Sequence, residues 1–195
     1  MTDRLQAQFN LGDLWGKTLH DPSKRSGESD TLMVILRDSA IEVLHSQGIR
    51  AVACETIGEL SIAALIGFSG ECVSGALGIA SSDEVLAATY LRACSDEGNA
   101  ALHQDWLREL SNLVLGRVKA RLLLRGFTVY IAVPQTLRGL RLQPDTAHYN
   151  RIAWTVMAGD AGPLLLWMDC EHGGLFDLEA RPPVQAREPG EIILF

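Results

Sequence analysis

The chain predicts an α+β fold: a mostly antiparallel, twisted sheet with the long helices packed on one face. Three observations carry that prediction. Asn99 to Leu124 has helix periodicity with two unlike faces. Two β-rich runs, Gly58–Phe68 and Glu71–Ala80, flank Ser69-Gly70, which reads as a hairpin turn. Three further runs, Arg151–Ala158, Pro163–Cys170 and Gly174–Ala180, are punctuated by Gly159-Asp160 and His172-Gly-Gly174 and read as closing strands. At 195 residues the chain is long enough for one well-buried domain and short for two.

Residues 1–30 read as an N-terminal extension and linker. Leu5, Phe9, Leu11, Leu14, Trp15 and Leu19 form an apolar stripe at loose helical spacing, and Trp15 is expected to dock on the chain's own domain. His20 to Asp30 is polar and turn-rich. Residues 31–180 form the predicted domain. Its first helix spans Thr31 to Gln47, where Leu32, Ile35, Leu36, Ser39, Ala40, Val43 and Leu44 give the i, i+3, i+4, i+7 pattern and Gly48 the stop.

A strand is expected over Ile49–Glu55, ahead of the hairpin. Gly75 and Gly78 mark bulges or a close approach of a helix to the sheet. Ser81 or Ser82 caps a second helix that carries Asp83 and Glu84 in its first turn and ends near Cys94. After the long helix, Phe127–Val133 reads as a strand stopped by Pro134, followed by Gln135–Gly139 and a polar loop through Pro144 to Asn150. Residues 181–195 form a Pro-rich tail with an apolar end, Ile192 to Phe195.

Composition excludes several classes of function. A formal net charge of −7 argues against nucleic acid and against an anionic membrane surface. No apolar run approaches membrane-spanning length and Met1 to Gln8 has no signal-peptide core, so a cytoplasmic protein is expected. The four cysteines include no C-x-x-C pair and read as buried, reduced thiols. Cys170 and His172 fit a hairpin turn better than a metal site, and no metal is expected. Neither a G-x-S-x-G elbow, nor H-E-x-x-H, nor a Walker A loop is present.

The functional candidates lie on the long helix. Asp105, Glu109, Asn112, Gly116 and Lys119 are spaced 4, 3, 4 and 3 apart. At ~100° per residue they share an arc of about 80°. Leu107, Leu110, Val114, Val118 and Leu122 fall mostly on the opposite side. A face made only for solubility would favour Glu, Lys, Gln and Arg. Asn is a mediocre helix former, and Gly costs about 1 kcal/mol against Ala there. Gly116 suits either a partner's close approach or that of a neighbouring helix.

Glu109-Leu-Ser-Asn112-Leu-Val-Leu-Gly116-Arg-Val-Lys119, followed by Gly126-Phe-Thr-Val-Tyr-Ile-Ala-Val-Pro134, resembles the signature helix and following strand of the CheX/CheC/FliY chemotaxis phosphatases. Ile66 to Ala80 is similar to that family's paired strands and Ser82 to Ala88 to its short helix, so the resemblance runs roughly from Thr31 to Ala180. It implies the layout derived above, with the first and the signature helix side by side. It also implies a phosphatase acting on the aspartyl phosphate of a CheY-type receiver domain, which brings its own magnesium.

On that resemblance Asn112 orients the attacking water, and Glu109 meets the receiver's active-site lysine. Asp105, Gly116 and Lys119 support partner binding. Two-site members of the family carry a second Glu/Asn pair on the first helix; here the equivalent is Glu42-Val-Leu-His45, which lacks the asparagine. Single-site members pair through sheet edges, so a homodimer near Arg151–Ala158 is expected. The alternative is a non-catalytic CheC-like binding module in a signalling or flagellar switch assembly.

Overall fold

The computed structural model describes residues 27–54, 58–95, 97–139, 142, 151–172 and 178. In chain order the elements are α1 (Gly27–Ser46), β1 (Ala51–Cys54), β2 (Ile62–Gly70), β3 (Val73–Ser81), α2 (Asp83–Cys94), α3 (Ala100–Leu123), β4 (Val129–Ile131), β5 (Gln135–Arg138), β6 (Arg151–Ala158) and β7 (Pro163–His172). The seven strands form one sheet in the order β1-β6-β7-β3-β2-β4, with β5 also on β2, and every pairing is antiparallel. The predicted α+β architecture is therefore observed.

Strand alternation decides which side meets the helices. Ile62, Ala64, Ile66 and Phe68 of β2, Leu77 and Ile79 of β3, and Leu166 and Met168 of β7 join the main core. Leu32, Ile35, Leu36, Val43 and Leu44 of α1 enter the same core, as do Leu107, Leu110, Val114, Val118 and Leu122 of α3. Alternate residues Ala63, Ala80 and Leu165 form a smaller apolar cluster with Leu60 on the other side, against which Leu142 and Trp167 pack.

Local chemistry explains the helix ends. Ser82 caps α2 in extended conformation, its hydroxyl accepting from the Val85 N–H at 3.3 Å. Asn99 caps α3, its side-chain oxygen accepting from the N–H groups of Ala101 and Leu102 at 3.0 and 3.1 Å. Inside the bundle, the Trp106 indole N–H donates to the Thr89 hydroxyl at 3.2 Å and ties α3 to α2.

Several expectations change. Helix α1 begins at Gly27, four residues ahead of Thr31, inside the stretch read as linker. The β2–β3 strands run through Ser69 and Gly70, so the connection is Glu71-Cys72. Gln135–Arg138, where no strand was expected, is a strand. It pairs with Ile62–Leu65 while β4 pairs with Phe68–Gly70, so Pro134 splits one edge into two short strands on the same neighbour. Open backbone groups along β2 need partners whatever the side chains are, and four mostly polar residues supply them.

Gly75 and Gly78 are neither bulges nor helix contacts. Both sit in regular ladders, and it is β7 that approaches: a side chain at Gly78 would collide with the Trp167 indole, and one at Gly75 with Asp169 and Cys170. The cysteines form no disulfide, but only Cys170 is buried, while Cys94 is exposed. Burial, with the neighbouring Asp169 carboxylate adding to it, pushes the Cys170 thiol up to about 11. Strand β6 is flanked by β7 and, over Thr155–Ala158, by β1, so that half offers no free edge. The expected strand at 174–180 lies outside the described residues except for Leu178, which is buried, and so do Trp15 and the 181–195 tail.

Candidate functional site: the outer face of helix α3

The two faces of α3 separate as the periodicity requires. Leu107, Leu110, Val114, Val118 and Leu122 are each no more than 1 % exposed. On the far side Asp105 and Glu109 are exposed, and Asn112, Gly116 and Lys119 are half-buried. All five candidates thus share one outward stripe. Ser111, beside Asn112, turns inward and donates its hydroxyl to the Leu107 carbonyl at 2.9 Å.

The stripe's polar groups differ in their partners. Asp105 is taken up by Arg108 one turn along. Glu109, Asn112 and Lys119 make no hydrogen bond or ion pair with any described residue. Among the described residues, a Cβ built at Gly116 would meet nothing within 4 Å. Gly116 therefore does not serve the approach of α1, and the reading of it as a helix–helix spacer is excluded. It leaves an open notch one turn past Asn112.

Helix α1 reaches α3 along a different flank. Arg121 pairs with Glu42 at 3.0 Å and with Asp38 at 3.8 Å, and Arg117 pairs with Glu42 at 3.6 Å. These arginines were not singled out from the sequence. Their signal was there: Arg117/Arg121 and Asp38/Glu42 are both i, i+4 pairs of opposite sign on helices expected to lie side by side. The cluster fixes α3 along α1 and leaves the outward stripe clear. His45, three residues past Glu42, is exposed.

Chemically, the stripe presents a carboxylate and a carboxamide one turn apart on a helix held by the core, by Arg117 and Arg121, and by the Trp106–Thr89 bond. A carboxamide both accepts and donates hydrogen bonds. Among the described residues, no three His, Cys, Asp or Glu side chains gather as a metal-holding group. Nor is any described helix long and apolar enough to cross a membrane.

The antiparallel sheet covered on one face by helices is a CheC/CheX-like fold. Residues 62–154 match the family model described as chemotaxis phosphatase CheX. That span is just under half of the chain, and over it the resemblance read from the sequence is borne out.

Solved structures agree. CheX from Vibrio vulnificus is 18 % identical, with a TM-score of 0.64 over 72 % of this chain and 96 % of that one. CheX from Desulfovibrio desulfuricans is 16 % identical, with a TM-score of 0.62 over 72 % of this chain and 99 % of its own. A chain of the CheX–CheY–BeF3–Mg2+ complex from Borrelia burgdorferi is 15 % identical, with a TM-score of 0.55 over 70 % and 96 %. At these identities the likeness establishes the fold. No match is found among curated proteins.

Proposed function

We propose that this chain hydrolyses the aspartyl phosphate of a CheY-type receiver domain, with Asn112 orienting the attacking water and Glu109 contacting the receiver's lysine. The observation that carries this reading is that Glu109 and Asn112, one turn apart on the outer face of α3, make no hydrogen bond or ion pair with a described residue, and that no described atom crowds Gly116 beside them. The matching family model and the neighbour crystallised with CheY, BeF3 and Mg2+ support the choice of partner.

The chemistry asks little of the phosphatase. An acyl phosphate is already reactive, and magnesium comes with the receiver. What remains is to hold a water in line with the scissile bond. The Asn112 carboxamide oxygen accepts a hydrogen bond from that water, and its NH₂ donates to a phosphoryl oxygen. A helix fixed on two flanks holds such a group better than a loop does. Lys119 and the Gly116 notch extend the docking surface. Asp105 contributes only by exchanging Arg108 for the partner.

The test is the lifetime of receiver phosphate with the wild-type chain and with Asn112→Ala, beside a binding titration. A shortened lifetime that depends on Asn112 supports the proposal. If Asn112→Ala acts as fast as wild type, the catalytic assignment fails and the binding-module reading takes its place. For a homodimer built through paired sheets, the described strands leave two outer edges, β1 continued by the Arg151–Trp154 half of β6, and the β4/β5 pair. Light scattering at micromolar concentration reads the assembly, and a clean monomer rejects it.

A further inference from the structure

A second recessed site lies away from the Asn112 stripe, where α3 runs into β4. A cleft of about 200 Å³ opens there, between the β2–β3 turn and the start of β4. Glu71, Val73, Gly126, Phe127, Thr128 and Tyr130 line it. Its walls follow from the local chain. Helix α3 ends in a tight turn, with the Gly126 N–H donating to the Leu123 carbonyl at 2.8 Å and the Phe127 N–H to the Leu122 carbonyl at 3.0 Å. Gly126 sits at φ +79°, a conformation that favours glycine, so this wall is bare backbone. Phe127 and Val73 turn into the core, while Thr128 and Tyr130 alternate outward.

Two features of one electrical sign meet at this cleft. Glu71 is exposed and makes no ion pair or hydrogen bond with a described residue. Tyr130 is 70 % exposed, an unusual position for a large ring, and its face is electron-rich. Among the described residues no cationic side chain lines the cleft, and the nearest in sequence, Arg125, turns back to donate to the Arg121 carbonyl at 3.4 Å.

We propose that this cleft binds one basic side chain, an arginine presented by a partner protein. A guanidinium matches it better than an ammonium, because it can lie flat on the Tyr130 ring while forking toward the Glu71 carboxylate. The cleft has room for one long side chain and no more. The site is independent of the receiver-phosphatase reading: it uses none of the α3 stripe and survives if that reading falls.

The experiment is a titration of the isotope-labelled full chain with N-acetyl-arginine amide, followed by amide chemical shifts. The expected result is saturable shifts confined to Glu71–Val73 and Gly126–Tyr130, with half-saturation on the order of millimolar, in keeping with a single anchored side chain. N-acetyl-lysine amide binds more weakly, and the neutral norleucine analogue causes no localised shift. Glu71→Gln and Tyr130→Ala each weaken arginine binding about threefold to tenfold, and both replace exposed side chains, so the amide spectrum elsewhere stays native. Shifts that are absent, spread evenly over the acidic surface, or unchanged by both substitutions overturn the proposal.

Discussion

Helices α1 and α3 lie side by side and carry the same spacing of a carboxylate and a polar residue three positions on. On α1 it is Glu42 and His45; on α3 it is Glu109 and Asn112. Their surroundings differ more than their sequences do. Glu42 is held by Arg117 and Arg121, whereas Glu109 has no partner among the described residues. Availability is thus not a property of the residue alone. The arginines that neutralise the α1 carboxylate belong to α3 itself, so the two helices divide the work: one carboxylate holds the pair together and the other faces outward.

The largest effect expected from this contrast is at Asn112. Asn112→Ala should slow receiver dephosphorylation by about 10²-fold or more while leaving receiver binding largely intact, because orienting the water matters in the transition state more than in the complex. Phosphate decay and a binding titration on one preparation separate the two. Glu109→Ala should weaken binding by about fivefold, an exposed ion pair being worth up to roughly 1 kcal/mol. Its effect should shrink as salt is added, and an unchanged affinity at low salt would remove Glu109 from the interface.

Gly116→Ala sharpens the comparison by moving stability and docking in opposite directions. With open space around the new methyl, the helix should gain about 0.5–1 kcal/mol, read as a higher unfolding midpoint, while receiver binding weakens. A gain in stability without loss of binding would mean that nothing enters the notch. The smallest effects belong to α1. Glu42→Gln should cost about 0.5 kcal/mol, screened by salt, because its ion pairs are half-exposed. His45→Asn in the Asn112→Ala background should restore no dephosphorylation while Arg117 and Arg121 hold Glu42. Restored activity would break the contrast.

Much of this was legible in the sequence because it rests on period and punctuation. The α3 stripe, the buried leucines behind it, the Ser82 cap and the hairpin follow from 3.6-residue and two-residue alternation ended by known breakers. What escaped depended on a distant partner. Gln135–Arg138 has no β signature of its own and became a strand because β2 had an unpaired edge. Gly116 admitted two readings until the position of α1 was fixed. The Arg117 and Arg121 pairs were visible as charges, but their importance appears only when Glu109 and Asn112 beside them are seen to lack partners among the described residues.

The Trp167 indole lying over Gly78 bears on how the sheet finds its alignment. Strands β3 and β7 are far apart in the chain, and their ladder has eight matched positions from Val73–His172 to Ala80–Leu165. Repeated backbone bonds alone would tolerate a shift along the ladder. Of the residues on that side of β3, Ser74, Ala76, Gly78 and Ala80, only Gly78 lacks a side chain. A slip of two residues would set the ring on a methyl group, and a slip of one would turn it into the helix-packed core. One large ring and one missing side chain thus act as a key and a keyhole, rejecting misaligned pairings while the sheet assembles.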